Sequence, residues 1–416
     1  MMPAAYGSLP FDAQIAFFRR KLAMPSRSWT DIVHEHHDHA FVVAGAMRMA
    51  LVEDLQAAVQ KAISEGTTLQ QFRKGFNRIV RDHGWRYRGS RGWRTRVIYE
   101  TNLRTSYQAG RYTQLQKMDF WQYHHSPSSS DPRPQHLAWS GMILPKDDPF
   151  WRTNYPPNGF GCKCTVTGMS RKTLERKGLK VSPSPKLKMR RVKIGTRGPN
   201  PRTVTVPEGV GPGFAYPPGR DAWMHTHALP PLDPSRGFPA GPRIPDFPAR
   251  DLLPSPRKFS ANKLLPTFRR GKEEEYARAF LAEFGADIGK PAVFVDATGE
   301  PVVISDAMFR DVRGRWKIAK HGRERYLPML AAALKDPDEI WVAMEWHHAL
   351  GKAVIRRRYV AWFELPDGSR PGFAVFEYGR DGWLGVTTFP RNLPADELDG
   401  EVEKVRRGIR LYKRKP

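Results

Sequence analysis

The chain has 416 residues and a formal net charge of +26, with an isoelectric point near 10.2; that length exceeds what one hydrophobic core usually organises, so two or three domains are expected, and the charge makes a polyanion the expected partner or neighbour. No apolar run reaches the roughly 18 to 20 residues that cross a bilayer, and the first residues lack the basic-then-apolar order of a signal peptide, which excludes a membrane-spanning helix and points to folding in a cytoplasm. Cys162 and Cys164, the two cysteines, are one residue apart and cannot close a long-loop disulfide, which fits the same reducing compartment.

The first third reads as helical. The run His34-Glu35-His36-His37-Asp38-His39 is expected to be an exposed polar lead-in rather than a metal site, because no partner cluster at ligand spacing accompanies it. From Met47, the apolar residues Met47, Leu51, Leu55 and Val59 recur every four positions, with Val52 and Ile63 beside them. This predicts an amphipathic helix that Gly66 stops. Thr68 and Gln71 have the form of a capping box, predicting a second helix that turns Phe72, Phe76, Ile79 and Val80 inward and ends at Gly84. A third helix is expected over 97–115, then a short aromatic strand over 120–125 and a turn-rich loop over 126–134.

Residues 131–166 gather Asp131, Arg133, His136, an Asp-Asp-Pro-Phe-Trp run ending at Trp151, a Pro-Pro-Asn-Gly turn and both cysteines. A fold that sets Thr101, Asn102, Arg104 and Arg111 of the third helix against Asp131, Arg133, His136 and the Cys162/Cys164 hairpin would build a polar cluster. Two readings of that cluster stand. His136, Cys162 and Cys164 suit zinc by ligand type; alternatively, hydrogen bonds hold the loop and the thiols are buried as small hydrophobes. Three ligands with no fourth in view favour the second reading, so no metal and no cofactor is expected.

From 171 to 270, prolines, glycines and basic residues dominate, predicting a largely disordered cationic linker that binds nucleic acid non-specifically. Order returns from 271. A short helix is expected over 273–284, then a hairpin over 292–305 turning at Thr298 and Gly299, then a helix over 324–334. Four strand-like runs follow, over 339–346, 353–365, 372–379 and 382–389, separated by turn residues. The fold class is therefore α+β: a mainly helical domain over 1–170 with a loop-rich hairpin, a linker over 171–270, and over 271–416 a helix packed on a four-stranded antiparallel meander.

The segment around His37–Met47, the run Arg96–Leu115 and the Pro-Pro-Asn-Gly-Phe-Gly-Cys-Lys-Cys-Thr-Val end at Val166 together resemble the phage Mu F-like minor head, or head-morphogenesis, proteins. That family usually carries Arg between the cysteines, where this chain has Lys163. The resemblance implies a protein of the virion, associated with the portal or capsid interior and with the packaged DNA, made in the host cytoplasm. No Walker-type loop is present, which argues against a packaging motor.

Residues 320–341, the Arg-Arg-Arg-Tyr run at 356–359 and the segment ending at Phe389 resemble the barnase, EndoU, colicin E5/D and RelE-like nucleases. Delivery with the genome and cleavage of RNA, tRNA included, are what that resemblance implies. A metal-independent ribonuclease needs a base, an acid and cations that stabilise the phosphorane, since the substrate's 2′-hydroxyl is the nucleophile. Strand alternation puts Ile340, Val342, Met344 and Trp346 on one side and Glu339, Trp341 and Glu345 on the other, with Arg356 and Arg358 sharing a side opposite Arg357 and Tyr359. The candidate catalytic set is Glu345 and His321 for proton transfer, Arg358 and Lys320 for charge and Thr388 for orientation; Arg323, Arg356 and Thr387 would hold nucleic acid. The competing reading is a purely structural head protein whose C-terminal domain only binds nucleic acid or the portal.

Overall fold

The computed structural model describes residues 11–32, 34–128, 132–196, 201–220, 222, 255–311, 313–318, 324–347, 352–364, 372–379, 382–383, 405–406 and 408–415, with backbone alone at 261, 345–347, 352–354, 372–379 and 382–383. The chain divides into two compact units, Met1–Pro239 and Ala240–Pro416. Among the described residues no helix is long and apolar enough to cross a membrane.

The first unit opens with α1 (Asp12–Arg19) and a small parallel pair, β1 (Leu22–Ala23) and β2 (Ala40–Phe41). α2 (Met49–Glu65) ends where Gly66 adopts the left-handed conformation, and α3 (Leu69–Asp82) starts on a full capping box between Thr68 and Gln71. The apolar stripes of these helices bury Leu51, Leu55, Val59, Phe72 and Phe76 in one core with Trp85, Ile98 and Leu103. α4 (Arg91–Leu115) begins six residues earlier than the periodicity suggests, because Ser90 caps the Trp93 N–H. Its second half enters another core, which holds Tyr112, Trp121, Tyr123, Trp151, Tyr155 and both cysteines.

Around that second core lie β3 (Phe120–His124), α5 (Pro134–Ala138), β4 (Ile143–Pro145), α6 (Trp151–Asn154) and β5 (Thr165–Met169), with the strands ordered β4-β3-β5, all antiparallel. Beyond them come α7 (Arg171–Arg176) and the hairpin β6 (Met189–Ile194) with β7 (Arg202–Pro207).

The expected linker therefore does not begin at 171. Residues 171–196 and 201–220 are built into the first unit, with Val206, Val210, Phe214 and Tyr216 buried. The composition misleads because a two-stranded ladder satisfies the backbone while turns at Gly209, Gly213 and Gly219, all at positive φ, fold a few apolar side chains inward. The stretch 223–254 lies outside the described residues.

The expected exposure of the His-rich run is met only in part: Glu35 is exposed, His34, His36, His37 and His39 are half-buried, and Asp38 is buried. Residues His34–Asp38 form a 3-10 turn whose Asp38 is buried, accepting the Gly219 N–H at 2.9 Å on each carboxylate oxygen. Lys21 caps the His37 carbonyl. Burial pushes the Asp38 carboxyl up to about 6 and the Lys21 amine down to about 8, while burial and then the Lys21 charge bring His37 down to about 3.

The second unit contains β8 (Arg257–Lys258), α8 (Glu273–Ala282), the hairpin β9 (Ala292–Val295) and β10 (Pro301–Ile304), and α9 (Leu327–Lys335). Its sheet is formed by β11 (Glu339–His347), β12 (Lys352–Glu364), β13 (Gly372–Gly379), β14 (Gly382–Trp383) and β15 (Ile409–Lys413). The order is β14-β13-β12-β11-β15, antiparallel throughout, with β8 added in parallel to β12. The meander is as expected over β11 to β13 and into β14. β15 was not expected; it makes β11 an interior strand.

Candidate functional site

The sheet of the second unit presents two chemically different faces. On one, Arg357 and Tyr359 converge on Asp296, which sits at the end of β9 and whose side chain is fully buried. Arg357 donates from Nε at 3.0 Å and Nη2 at 2.8 Å, and the Tyr359 hydroxyl donates at 2.9 Å. The turn backbone adds the Thr298 and Glu300 N–H groups, at 2.8 and 2.9 Å. Burial pushes the Asp296 carboxyl up, but the Arg357 charge and these hydrogen bonds outweigh it and hold it below the usual carboxylate range. Burial raises the Tyr359 phenol well above its ordinary value, so it donates to Asp296 as the neutral phenol.

The opposite face carries the arginines. Arg358 stands directly across from Trp341 on β11 and Glu377 on β13, Arg356 stands across from Ala343, and Arg410 of β15 faces Trp341 from the other side. Glu339 is fully buried among them. Arg406 grips it with two hydrogen bonds of 2.7 Å, Arg410 adds one of 3.0 Å, and the Trp341 indole N–H donates at 2.8 Å. The bidentate pairing fixes the Arg406 guanidinium plane, and the Arg410 cation lies 5.7 Å from the Trp341 ring. Four guanidiniums thus share a face with the buried Glu339, an arrangement suited to phosphate oxygens.

Of the sequence-predicted residues, Arg356 and Arg358 share this face, and Arg358 is buried. The Glu345 backbone pairs with Val354 in the ladder of β11 and β12, while its side chain is outside the described set. His321, Lys320, Arg323, Thr387 and Thr388 lie outside the described residues. Glu339 and Trp341, which strand alternation sets opposite the apolar side, are both buried. Arg406, Arg410 and the Asp296 network were not anticipated. The alternation Ile409-Arg410-Leu411-Tyr412 carried the signal for the terminal strand.

In the first unit, the structure assembles part of the expected polar cluster. α4 holds both hairpin carbonyls: Arg104 donates to the Cys162 carbonyl at 3.0 Å and Gln108 to that of Cys164 at 3.4 Å. Arg133 donates to the Phe160 carbonyl at 3.0 Å. Asn102 and Arg111 instead bond within their own helix, to the Ile98 carbonyl and to Gln114. Trp151 is a core residue, packed 5.5 Å from Trp121 with its indole N–H on the Pro145 carbonyl at 3.0 Å. Asp131 lies outside the described residues.

His136 is buried on α5, stacked on Trp139, with Nδ1 at 3.4 Å from the Cys164 sulfur and 3.8 Å from that of Cys162. Its Nε2 lies 2.8 Å from the Gly209 carbonyl. A carbonyl only accepts, so Nε2 carries the proton and Nδ1 offers its lone pair to the sulfurs. The hydrogen bond between the two sulfurs pulls the Cys162 thiol well below its ordinary range and pushes Cys164 far above.

Comparison with known proteins divides the chain along the same lines. Residues 53–167 match the family described as Phage Mu protein F like protein, and residues 279–413 match the family described as phage-Barnase-EndoU-ColicinE5/D-RelE like nuclease2. The chain thus carries one region similar to the Mu F-like family and another similar to the phage-type nuclease family. It is 33% identical over 193 residues to the putative capsid assembly protein F of Escherichia phage Mu, covering 42% of this chain and 44% of the relative. Over 171 residues it is 32% identical to the Mu-like prophage FluMu F protein of Haemophilus influenzae, covering 38% and 41%. The chain therefore spans less than half the length of the curated relatives it matches. No solved structure matches it significantly.

Proposed function

We propose that this chain is a phage head-morphogenesis protein whose second unit is a metal-independent ribonuclease, carried in the virion against the portal or capsid interior and delivered with the genome. The observation that carries the reading is the joining, in one chain, of a Mu F-like region to a nuclease-family domain with an arginine face.

In this mechanism the substrate's 2′-hydroxyl attacks the adjacent phosphorus while Glu345 accepts its proton. The P–O5′ bond breaks as His321 protonates the leaving oxygen, which yields a 2′,3′-cyclic phosphate and a 5′-hydroxyl. Arg358 and Lys320 stabilise the charge on the phosphorane, Thr388 orients it, and Arg323, Arg356 and Thr387 hold the flanking backbone. Arg406 and Arg410 are positioning residues: locked on Glu339, they fix the face on which Arg358 stands.

The test is incubation of the full chain with total RNA in chelator, with the ends of the fragments analysed. Cyclic-phosphate ends are expected. A folded chain that binds RNA or single-stranded DNA without cutting either would favour a purely structural head protein instead.

A further inference from the structure

We propose that His136, Cys162 and Cys164 form a zinc site in the first unit. Three independent features of the cluster point there. The ligand atoms of the three residues all lie within 4.8 Å of one another, and all three residues are buried. Tetrahedral zinc with Zn–S of about 2.3 Å and Zn–N of about 2.0 to 2.1 Å requires a nitrogen-to-sulfur separation of about 3.6 Å; the two separations here are 3.4 and 3.8 Å. Finally, Nδ1 has a single lone pair while two sulfurs stand within reach of it. One thiol at a time can donate to that lone pair, whereas a metal at the centre of the three atoms binds all three at once.

The surroundings are those of a ligand set held ready. The second nitrogen of His136 is committed to the Gly209 carbonyl, the kind of outer contact that orients a metal-binding imidazole. Arg104 and Gln108 fix both hairpin carbonyls from α4. Asn158 is fully buried beside the cluster, its Oδ1 accepting the Tyr123 hydroxyl at 2.8 Å, and its Nδ2 has no hydrogen-bond partner among the described residues. A water in the fourth coordination position would give that donor an acceptor. The earlier expectation of no metal rested on the missing fourth protein ligand, and three protein ligands plus water is a complete zinc set. Two thiolates and a neutral imidazole also balance the charge of one zinc ion, so a buried site carries no net charge. The ion would tie α5 to the 162–164 hairpin and, through Gly209, to the segment after β7.

The purified, reduced full chain is titrated with cobalt(II) alone. One equivalent should bind with the intense absorption bands of tetrahedral thiolate coordination, and added zinc should bleach them. Zinc should also protect Cys162 and Cys164 from alkylation, read by mass spectrometry, which requires no substitution that might disturb folding. Cys162→Ser and Cys164→Ser should each lose the cobalt spectrum. A folded wild-type chain that takes up no cobalt or zinc stoichiometrically, or whose cysteines alkylate equally with and without zinc, would overturn the proposal, as would a cobalt spectrum unchanged in both serine variants.

Discussion

Asp296→Asn isolates the ion pair that anchors the β9–β10 hairpin to the sheet. The substitution keeps the side-chain shape but removes the charge opposite Arg357, whose side chain is 5% exposed. Leaving a buried charge without its partner costs about 3 to 5 kcal/mol. Glu300, with its carboxylate 3.9 Å from the Arg357 guanidinium, offsets part of this, so the lower end, about 3 kcal/mol, is expected. For a unit of this size each kcal/mol lowers the melting temperature by roughly 2 to 4 °C, giving a fall of roughly 6 to 12 °C. Differential scanning calorimetry of the full chain would measure it, with Asp311→Asn, at an exposed ion pair, as a control that moves little.

The pH dependence supplies a second check. The Asp296 carboxyl is held below its ordinary value, so its contribution is complete above the unfolded pKa of about 3.9 and is lost as pH falls through the lower folded value. The gap between wild type and Asp296→Asn should close on that descent. Adding Arg357→Met to Asp296→Asn should recover part of the loss, because no unpaired guanidinium is then buried and the asparagine oxygen can still accept from the Thr298 and Glu300 N–H groups. A single variant as stable as wild type at neutral pH, or a gap that persists at pH values where Asp296 is protonated, would refute the assignment.

Arg358→Ala should lower ribonuclease turnover by more than about 10²-fold, by comparison with removing one preorganised charge-stabilising donor; its melting temperature should fall less than that of Asp296→Asn, and full activity would remove Arg358 from the mechanism. Gly209→Ala should destabilise the first unit by about 1 to 3 kcal/mol, since φ is +87° and the added Cβ would meet Gln135 and Trp139 carbons at 2.7 Å; denaturant titration measures this. Lys21, at about 8 in the fold against an ordinary 10.5, binds fewer protons folded than unfolded between those values, so the melting temperature of the first unit should rise with pH across that window. Lys21→Met should abolish the rise, and an unchanged slope would show that other groups carry it.

Much of the architecture was legible wherever a short-range rule dominated. The four-residue spacing of α2, the Thr68–Gln71 capping box and the Asp-Ala-Thr-Gly turn before β10 act over distances the chain itself displays. The grouping of His136 with Cys162 and Cys164 followed from a motif confined to thirty residues. Its completion did not, because Gly209 is 73 residues from His136 in a segment whose composition suggests disorder. The Glu339 cage escaped for a different reason. Alternation in β11 suggests one covered face, and the side chains that cover the other come from β15 and Arg406, far along the chain, where charge density masked a strand.

The position of β15 bears on what happens when the chain is cut short. With β15 present, β11 has a neighbour on each side. A product ending before residue 405 would leave one side of β11 with unpaired N–H and C=O groups along Glu339–Val342, beside apolar residues, and would strand Glu339 without Arg406 and Arg410. Such a naked edge is a template for pairing with another copy. Nonsense or frameshift lesions near the 3′ end of the gene should therefore yield aggregates rather than a soluble shortened second unit.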